Sequence, residues 1–391
     1  MVAVRQLPSG ARLLHIGPHK TGSSAIQGAL HVARERLAAQ GIIYPGRGRQ
    51  TLWPILAVTG QPPLRGEPAP DIAWWDQLAR DIRTAGDQRV VLSSEFFAEA
   101  DDTTAARVVA DLGPGVHVVV TLRSLTRIMP SQWQQYIQNG YRFGYAEWLE
   151  GILSDPPRTP TPGFWRRHRH DELVARWAEV AGPSNVTVIV LDETDRLMLL
   201  RTFESLLGLP GGFLVPERSA ANRSLSQAEA ELVLRLNEEF SRREWPDRSY
   251  ARFMRYGVIE QMKTARQPTA DEPAIATPAW AAARAAEISA EMAGNIKTLN
   301  VNIIGDLAAL GSPPIMGPIT GPADAQAAGM DAPPGIALEA AVQAIVGACT
   351  AGGAGGLPAE ELVRGVAASS LAKVLINRGK RRVLRVRPRT R

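Results

Sequence analysis

The chain has 391 residues, of which 45% are hydrophobic, and it carries a formal net charge of +5 at neutral pH. This length and apolar content suit one large α/β domain with appendages, and the single cysteine excludes an intrachain disulfide. The charge is too small to indicate nucleic-acid binding, and no segment has the length and apolarity of a transmembrane helix or the pattern of a signal peptide. We therefore expect a cytoplasmic enzyme that binds no nucleic acid.

The first predicted elements are a strand and a helix that flank a short polar loop. Apolar residues at Leu13, Leu14 and Ile16 predict a buried strand, and the apolar face of residues 25–40 predicts a helix. A helix that starts after such a loop has unpaired backbone N–H groups and a dipole that favours an anion. The loop adds the Lys20 ammonium and several hydroxyl groups. The sequence therefore predicts a site for a phosphate-like group at this loop.

The spacing of the loop differs from that of a Walker A motif. A Walker A loop has a glycine, four spacers and then Gly-Lys-Ser/Thr, whereas here Lys20 lies between Gly17 and Gly22. An ATP-dependent enzyme would also need Mg²⁺ ligands, and Asp192, after the apolar run 186–191, is a candidate. That run is equally typical of a core strand with a polar cap. A P-loop kinase or another nucleotide phosphotransferase stays an alternative.

Residues 20–24, Lys-Thr-Gly-Ser-Ser, match at every position the phosphosulfate loop of sulfotransferases that use 3′-phosphoadenosine 5′-phosphosulfate (PAPS). The wider string 15–22 resembles the bacterial branch of that family. The resemblance implies an α/β fold with a mostly parallel central sheet flanked by helices, a P-loop-type architecture, and PAPS as co-substrate without a metal. It also implies a catalytic Lys20 and a set of cofactor-binding loop residues, namely His19, Lys20, Thr21, Gly22, Ser23 and Ser24.

The next predicted strand begins at Arg89 and runs into Ser-Ser-Glu, which places Glu95 at a strand end. Ligands collect at such ends in open parallel sheets. Cytosolic sulfotransferases carry a catalytic histidine at the corresponding place, and heparan-modifying relatives use a glutamate from elsewhere in the chain. The resemblance therefore implies Glu95 as general base. His15 and His19 are the alternative bases, and a helix-capping or salt-bridged role is the structural alternative for Glu95.

Val116–Leu122 predicts a further strand, which Arg123 follows, and Ser131 comes eight residues later in a stretch predicted to open a helix. This arrangement resembles the 3′-phosphate signature of the same family. An arginine fork binds a phosphate through two N–H groups, and a serine at a helix start adds a hydroxyl. We expect Arg123 and Ser131 to bind the 3′-phosphate together, although each alone is also compatible with a surface arginine and a plain N-cap.

Residues 142–170 carry several prolines and predict a loop-rich insertion. The insertion ends in a basic, aromatic cluster at 164–170, which either meets an anionic acceptor or is a solvated loop with a packed tryptophan. Beyond it, 186–191 predicts a strand and 194–207 a helix. Cytosolic family members carry an adenine-contacting aromatic residue near the end of this strand, and the sequence Leu-Asp-Glu at 191–193 lacks it.

The last part of the chain changes in character. Ser226 and Glu229 predict a capping box at the start of a helix, and the resemblance implies that Arg223 or Arg218, just before it, closes over the 3′-phosphate. We assign residues 1–310 to a catalytic domain, 311–357 to a Gly/Ala/Pro-rich flexible linker, and 358–391 to a short helix and a basic tail. The tail is predicted to be a disordered end, with weak contact to an anionic membrane surface as the alternative.

The predicted function is transfer of a sulfuryl group from PAPS to a hydroxyl or amine of a small molecule, glycan or glycolipid. Glu95 would accept the proton of the acceptor, and Lys20 would neutralise the charge that develops on the departing phosphate. The histidines and the single cysteine show no metal-ligand spacing. Besides the kinase, an inactive nucleotide-binding module stays an alternative.

Overall fold

The structure is a computed structural model that describes residues 4–63, 67–158, 160–161, 163–217, 223–269, 272–311 and 338–352. The chain folds as two compact units. The first comprises Met1–Gln132, Ala146–Arg218 and Thr277–Ile315, and the second comprises Trp133–Tyr145, Ser219–Ala276 and Met316–Arg391. Every predicted site residue except Arg223 belongs to the first unit.

The first unit is built on a six-stranded sheet in which all neighbouring strands are parallel. The strands are β1 (Arg12–His15), β2 (Ile42–Ile43), β3 (Arg89–Ser93), β4 (Val116–Leu122), β5 (Val186–Val190) and β6 (Asn302–Ile304), and their order across the sheet is β2-β3-β1-β4-β5-β6. Because parallel neighbours cannot be joined by tight hairpins, helices and loops form the crossovers between them. The predicted α/β class is confirmed.

The helices, in chain order, are α1 (Ser23–Val32), α2 (Arg34–Ala38), α3 (Leu52–Thr59), α4 (Ala73–Arg83), α5 (Asp102–Leu112), α6 (Leu125–Gln138), α7 (Tyr145–Leu153), α8 (Gly163–His168), α9 (His170–Ala181), α10 (Met198–Leu207), α11 (Gln227–Arg242), α12 (Asp247–Tyr250), α13 (Glu260–Ala265), α14 (Ala279–Lys297), α15 (Ala308–Gly311) and α16 (Leu338–Gly352). A 3₁₀ turn spans Glu95–Glu99, another spans Pro183–Asn185, and a π-helical segment, Ala251–Ile259, joins α12 to α13.

The central strands are buried on both faces, which explains why they read as continuous apolar runs in the sequence. On one face, Leu14 and Val118 pack with Trp177 of α9 in the larger apolar cluster, which also includes residues of α4 and α5. On the other face, Leu13 of the same strand packs with Leu30 of α1 and with residues of α10. The alternation of side chains along each strand supplies both clusters.

Two predictions about irregular segments are wrong in part. Residues 142–170 contain α7 and α8, because Trp148, Leu149 and Ile152 bury one helical face and the prolines follow it. Residues 338–352 of the predicted linker form α16, whose alanine-rich sequence favours a helix. The predicted tail, 358–391, lies outside the described residues. Within the described part of the chain, no helix is long and apolar enough to cross a bilayer.

Candidate active site

The candidate site lies where the order of the strands reverses direction. The chain leaves β1 towards β2 on one side of the sheet, whereas it leaves β4 towards β5 on the other side, and β1 and β4 are neighbours. In open α/β sheets, ligands bind in the crevice at the carboxyl ends of two such strands. The loop that contains Lys20 follows β1, and Arg123 follows β4 directly. The fold therefore brings the two predicted anion-binding elements to one edge of adjacent strands.

The loop after β1 has a backbone that few sequences can adopt. Gly17 and Gly22 have φ values of 78° and 91°, and Lys20 has a φ of 68°. A Cβ on Gly17 would lie 2.9 Å from the Glu95 Cα atom, and a Cβ on Gly22 would lie 2.7 Å from the Leu199 side chain. The positive φ thus favours glycine at both positions, and the close approach of the Glu95 backbone requires it at Gly17. The left-handed Lys20 costs of the order of 1–3 kcal/mol, which is a common feature of functional loops.

The helix that follows this loop begins with donors but without a cap. Gly22 offers no side-chain cap to α1, and the first turn of the helix contains no acidic residue. Ser24, the second residue of the helix, is exposed. Ser23 Oγ and His19 Nδ1 are buried, and within the described part of the chain neither has a hydrogen-bond partner. Buried polar atoms normally have partners. The loop and the start of α1 therefore fit an anionic group with several acceptor oxygens.

His19 contributes to this loop as a neutral side chain. Burial, together with the positive charges of Arg167 and Lys20, lowers the pKa of His19 well below its usual value. The ring packs edge-on against Phe96, with 5.4 Å between the ring centroids. His19 can therefore donate or accept a hydrogen bond near neutral pH, while the ammonium of Lys20 supplies the positive charge of the loop.

A buried hydrogen-bond network beneath the loop contains Thr21, a predicted cofactor-binding residue, and His15, an alternative general base. The Thr21 hydroxyl donates to the Pro18 carbonyl at 2.6 Å and lies 2.7 Å from Thr121 Oγ1. The His15 ring bridges Ser93 Oγ at 2.7 Å and Thr121 Oγ1 at 3.2 Å, and burial lowers the pKa of His15 to about 3. Because a hydroxyl has one proton to donate, the Thr21 hydroxyl holds the loop and leaves no proton for the predicted contact with the cofactor. His15 is a buried structural residue.

Glu95 lies against the phosphate-type loop, at the first position of the 3₁₀ turn that follows β3. The amide of Gln27, a buried residue of α1, donates to Glu95 Oε2 at 2.9 Å and to the Ser93 carbonyl at 3.3 Å. This amide therefore orients the carboxylate from the helix that starts at the loop. Sequence reasoning missed Gln27, although a polar residue on the buried face of α1, four positions after Ser23, was a visible signal.

Arg123 is half-buried at the end of β4, and its guanidinium forms a two-pronged pair with a carboxylate. Its Nε and Nη2 groups donate to the two carboxylate oxygens of Glu193, with an Nη2–Oε2 distance of 2.7 Å. The hydrogen bonds and charge of Arg123 hold the pKa of Glu193 below its usual value. These contacts use two of the five N–H donors of the guanidinium. Arg123 thus already binds an oxyanion in the geometry that a phosphate would use.

Ser131 does not occupy the predicted helix start. Helix α6 begins at Leu125, and Ser131 lies beyond its first turn, directly after an internal proline. The burial of Leu125, Ile128 and Met129 explains why the helix starts early, since these side chains pack one face of its first turn and a half. The N–H group of Ser131 is therefore not one of the free donors at a helix start, and that part of the prediction is wrong.

Arg223 belongs to the second unit, and its guanidinium forms hydrogen bonds to residues of that unit. Its guanidinium donates to both carboxylate oxygens of Glu229 at 2.7 and 2.8 Å, and to backbone carbonyls of Ser224, Met262 and Arg266. These bonds use all five N–H donors of the side chain, and only 11% of the side chain is exposed. In this structure Arg223 therefore has no donor left for the predicted phosphate contact, and it stabilises the predicted capping box of α11, which is confirmed.

The basic, aromatic cluster at 164–170 is packed, apart from the exposed Arg166. Phe164 is fully buried and packs edge-on against Trp148, with 5.2 Å between ring centroids. Arg167 forms a half-buried ion pair with Glu99 at 2.7 Å. The charge of Arg167 is nevertheless close enough to contribute to the lowered pKa of His19. Helix α8 therefore adds positive potential beside the loop.

The chain matches no protein-family model and no curated protein. Among solved structures it is similar to a sulfotransferase from Alicyclobacillus acidocaldarius. The two share 17% sequence identity with a TM-score of 0.39, over 61% of this chain and 93% of that chain. A similarity of this size carries no functional argument, so the function has to be inferred from the site itself.

Proposed function

We propose that the protein is a sulfotransferase that moves a sulfuryl group from PAPS to a hydroxyl or amine of an acceptor. The observation that carries this proposal is the arrangement of charge at the carboxyl edge of β1 and β4. A lysine-containing anion loop follows one strand, an arginine fork follows its neighbour, and Glu95 lies against the loop. PAPS has the matching features, namely an anionic 5′-phosphosulfate and a separate 3′-phosphate.

The residues present fit the two anionic ends of such a donor. The backbone N–H groups at the start of α1, the Ser23 hydroxyl and Lys20 would hold the 5′-phosphosulfate, since Ser23 Oγ is a buried atom that otherwise lacks a partner in the described residues. His19 Nδ1, on the same loop, is also a buried atom without a hydrogen-bond partner in the described residues. Arg123 would hold the 3′-phosphate through its fork.

In the proposed reaction, an acceptor oxygen or nitrogen attacks the sulfur atom while the bond from sulfur to the 5′-phosphate oxygen breaks. Glu95 accepts the proton of the attacking group, and adenosine 3′,5′-bisphosphate leaves. Lys20 neutralises the negative charge that grows on the bridging oxygen. Gln27 keeps the Glu95 carboxylate pointed in one direction through its 2.9 Å hydrogen bond. Positioning and charge stabilisation supply the catalysis, as in phosphoryl transfer.

One contact argues against the Mg²⁺ site of a P-loop kinase. In a P-loop kinase the hydroxyl that follows the loop lysine binds Mg²⁺, and here that residue is Thr21. Its side chain is fully buried, donates to the Pro18 carbonyl and contacts Thr121. A hydroxyl that is held beneath the loop in this way cannot reach an ion on the ligand side.

Calorimetry with adenosine 3′,5′-bisphosphate and with ATP–Mg²⁺ tests the proposed donor class without an acceptor. The proposal predicts that the bisphosphate binds at least about tenfold more tightly than ATP–Mg²⁺, because only the bisphosphate has a phosphate for Arg123. Mg²⁺ should not change the affinity for the bisphosphate. Tighter binding of ATP in the presence of Mg²⁺ would instead identify a nucleotide phosphotransferase.

Release of adenosine 3′,5′-bisphosphate from PAPS, measured with a panel of phenols, sugars and amines, tests the catalytic roles. Once an acceptor is found, Lys20→Ala and Glu95→Gln should each lower turnover by about 10²–10³-fold. Glu35→Gln, at an exposed acid of α2, is the matched control and should retain full turnover. Full activity of the Glu95 variant would assign the base to another residue.

A further inference from the structure

The arginine fork proposed for the 3′-phosphate already has a competing ligand within the chain. Glu193 follows β5, the strand next to β4, and its two carboxylate oxygens accept from Nε and Nη2 of Arg123. This is the edge of the guanidinium that a phosphate would occupy in a bidentate complex. A phosphate on Arg123 must therefore either displace Glu193 or lie beside its negative charge.

The pair is built so that it can be displaced. The side chains of Arg123 and Glu193 are 29% and 40% exposed, and ion pairs at this level of exposure are weak because solvent screens them. A doubly charged phosphate attracts the guanidinium more strongly than a singly charged carboxylate does at the same distance. The exchange of partners at Arg123 therefore favours the phosphate, but the loss of the pair with Glu193 reduces the net binding free energy of the phosphate.

The turn that carries Glu193 is held by the neighbouring residue. Asp192 Oδ1 accepts from the Thr194 backbone N–H at 2.8 Å and from the Thr194 hydroxyl at 2.6 Å. These bonds fix the backbone of the turn without Glu193. The Glu193 side chain can therefore leave Arg123 by rotating about its own bonds, and the fold of the turn does not have to change.

We propose that Glu193 is a specificity-determining residue that competes with the 3′-phosphate for Arg123. The inference rests on the proposed function, because it assumes that Arg123 binds the 3′-phosphate. This competition lowers the affinity for every 3′-phosphorylated nucleotide, including the product, adenosine 3′,5′-bisphosphate. Nucleotides without a 3′-phosphate do not need the fork and are bound with the pair intact. Such a competitor speeds release of the product at the end of each turnover.

Calorimetry with adenosine 3′,5′-bisphosphate and adenosine 5′-phosphate, at one fixed low salt concentration, tests this role. Glu193→Gln should bind the bisphosphate about two- to fivefold more tightly than the wild type, in line with the strength of an exposed ion pair. Its affinity for adenosine 5′-phosphate should be unchanged. Asp192→Asn removes the same charge one residue away and keeps an oxygen for Thr194, so it serves as the matched control and should not reproduce the gain.

Two results overturn the inference. Weaker binding of the bisphosphate by Glu193→Gln would mean that Glu193 holds Arg123 in place for its ligand. An equal gain in Asp192→Asn would mean that the general field of the turn is responsible. A third variant separates this inference from the proposed function: if Arg123→Ala binds the bisphosphate as tightly as the wild type, the assignment of the 3′-phosphate itself is wrong, and the role of Glu193 falls with it.

Discussion

Arg123 and Arg223 are two arginines with the same predicted role and opposite environments. Arg123, after β4 in the first unit, donates two hydrogen bonds to one carboxylate, and its side chain is 29% exposed. Arg223, in the second unit, donates all five of its N–H groups to Glu229 and three backbone carbonyls, and its side chain is 11% exposed. A binding arginine needs unspent donors and access to solvent, whereas a structural one has neither.

The comparison predicts its largest effect in the stability of the second unit. Arg223→Ala removes the two-pronged partner of the fully buried Glu229 and leaves Arg266 as its remaining arginine partner. Loss of hydrogen bonds to a buried charge costs about 1.5–3 kcal/mol of unfolding free energy. Urea unfolding measures this loss. Arg235→Ala is the control, because Arg235 is 61% exposed in the same unit and its ion pairs are worth at most about 1 kcal/mol. Equal losses in the two variants would remove the distinction between buried and exposed arginines.

The same buried cluster predicts sensitivity to acid. Burial alone would raise the pKa of Glu229, but hydrogen bonds from Arg223, the Ser226 N–H and Arg266 outweigh it and hold the pKa below the usual value of 4.5. A lowered carboxyl pKa contributes stability above the unfolded pKa, and this contribution is lost as pH falls through the folded pKa. The urea midpoint, measured at a series of pH values from 6 downwards, should therefore decrease once the pH is below about 4.5. Arg223→Ala should make the midpoint depend less on pH. A wild-type profile that is flat over this range would contradict the assignment.

Arg123→Ala is expected to change ligand affinity and to leave stability almost intact. Loss of charged hydrogen bonds worth about 1.5–3 kcal/mol should weaken binding of adenosine 3′,5′-bisphosphate by about 10–150-fold, as measured by calorimetry. The unfolding free energy should change by less than about 1 kcal/mol, because the pair with Glu193 is exposed. Arg127→Ala, at an exposed residue of α6, is the control for loss of charge. A comparable loss of affinity in the control would assign binding to the general positive field.

Gln27→Leu should give the smallest effect, in the catalytic step alone. The orienting hydrogen bond to Glu95 is worth about 1 kcal/mol, so turnover should fall by about fivefold while affinity for adenosine 3′,5′-bisphosphate is unchanged. A matching loss of affinity for adenosine 3′,5′-bisphosphate would instead indicate a packing defect at α1.

The elements that sequence reasoning predicted correctly are those fixed by local pattern. The apolar strands and the capping box of Ser226 and Glu229 depend on neighbours within a few residues. The same reasoning failed where tertiary contacts decide. The start of α6 depends on the burial of Leu125 in the core, and the availability of an arginine depends on partners 70 residues away, as with Glu193. A sequence shows that a donor is present but not whether it is already used.

The most direct test of the central claim is an experimental structure of the protein with adenosine 3′,5′-bisphosphate. We expect the 5′-phosphate to contact Lys20 and the backbone N–H groups at the start of α1. We expect the 3′-phosphate to lie within hydrogen-bond distance of the Arg123 guanidinium, with the Glu193 carboxylate turned away. A nucleotide whose 3′-phosphate lies away from Arg123 while its 5′-phosphate occupies the loop would contradict the account.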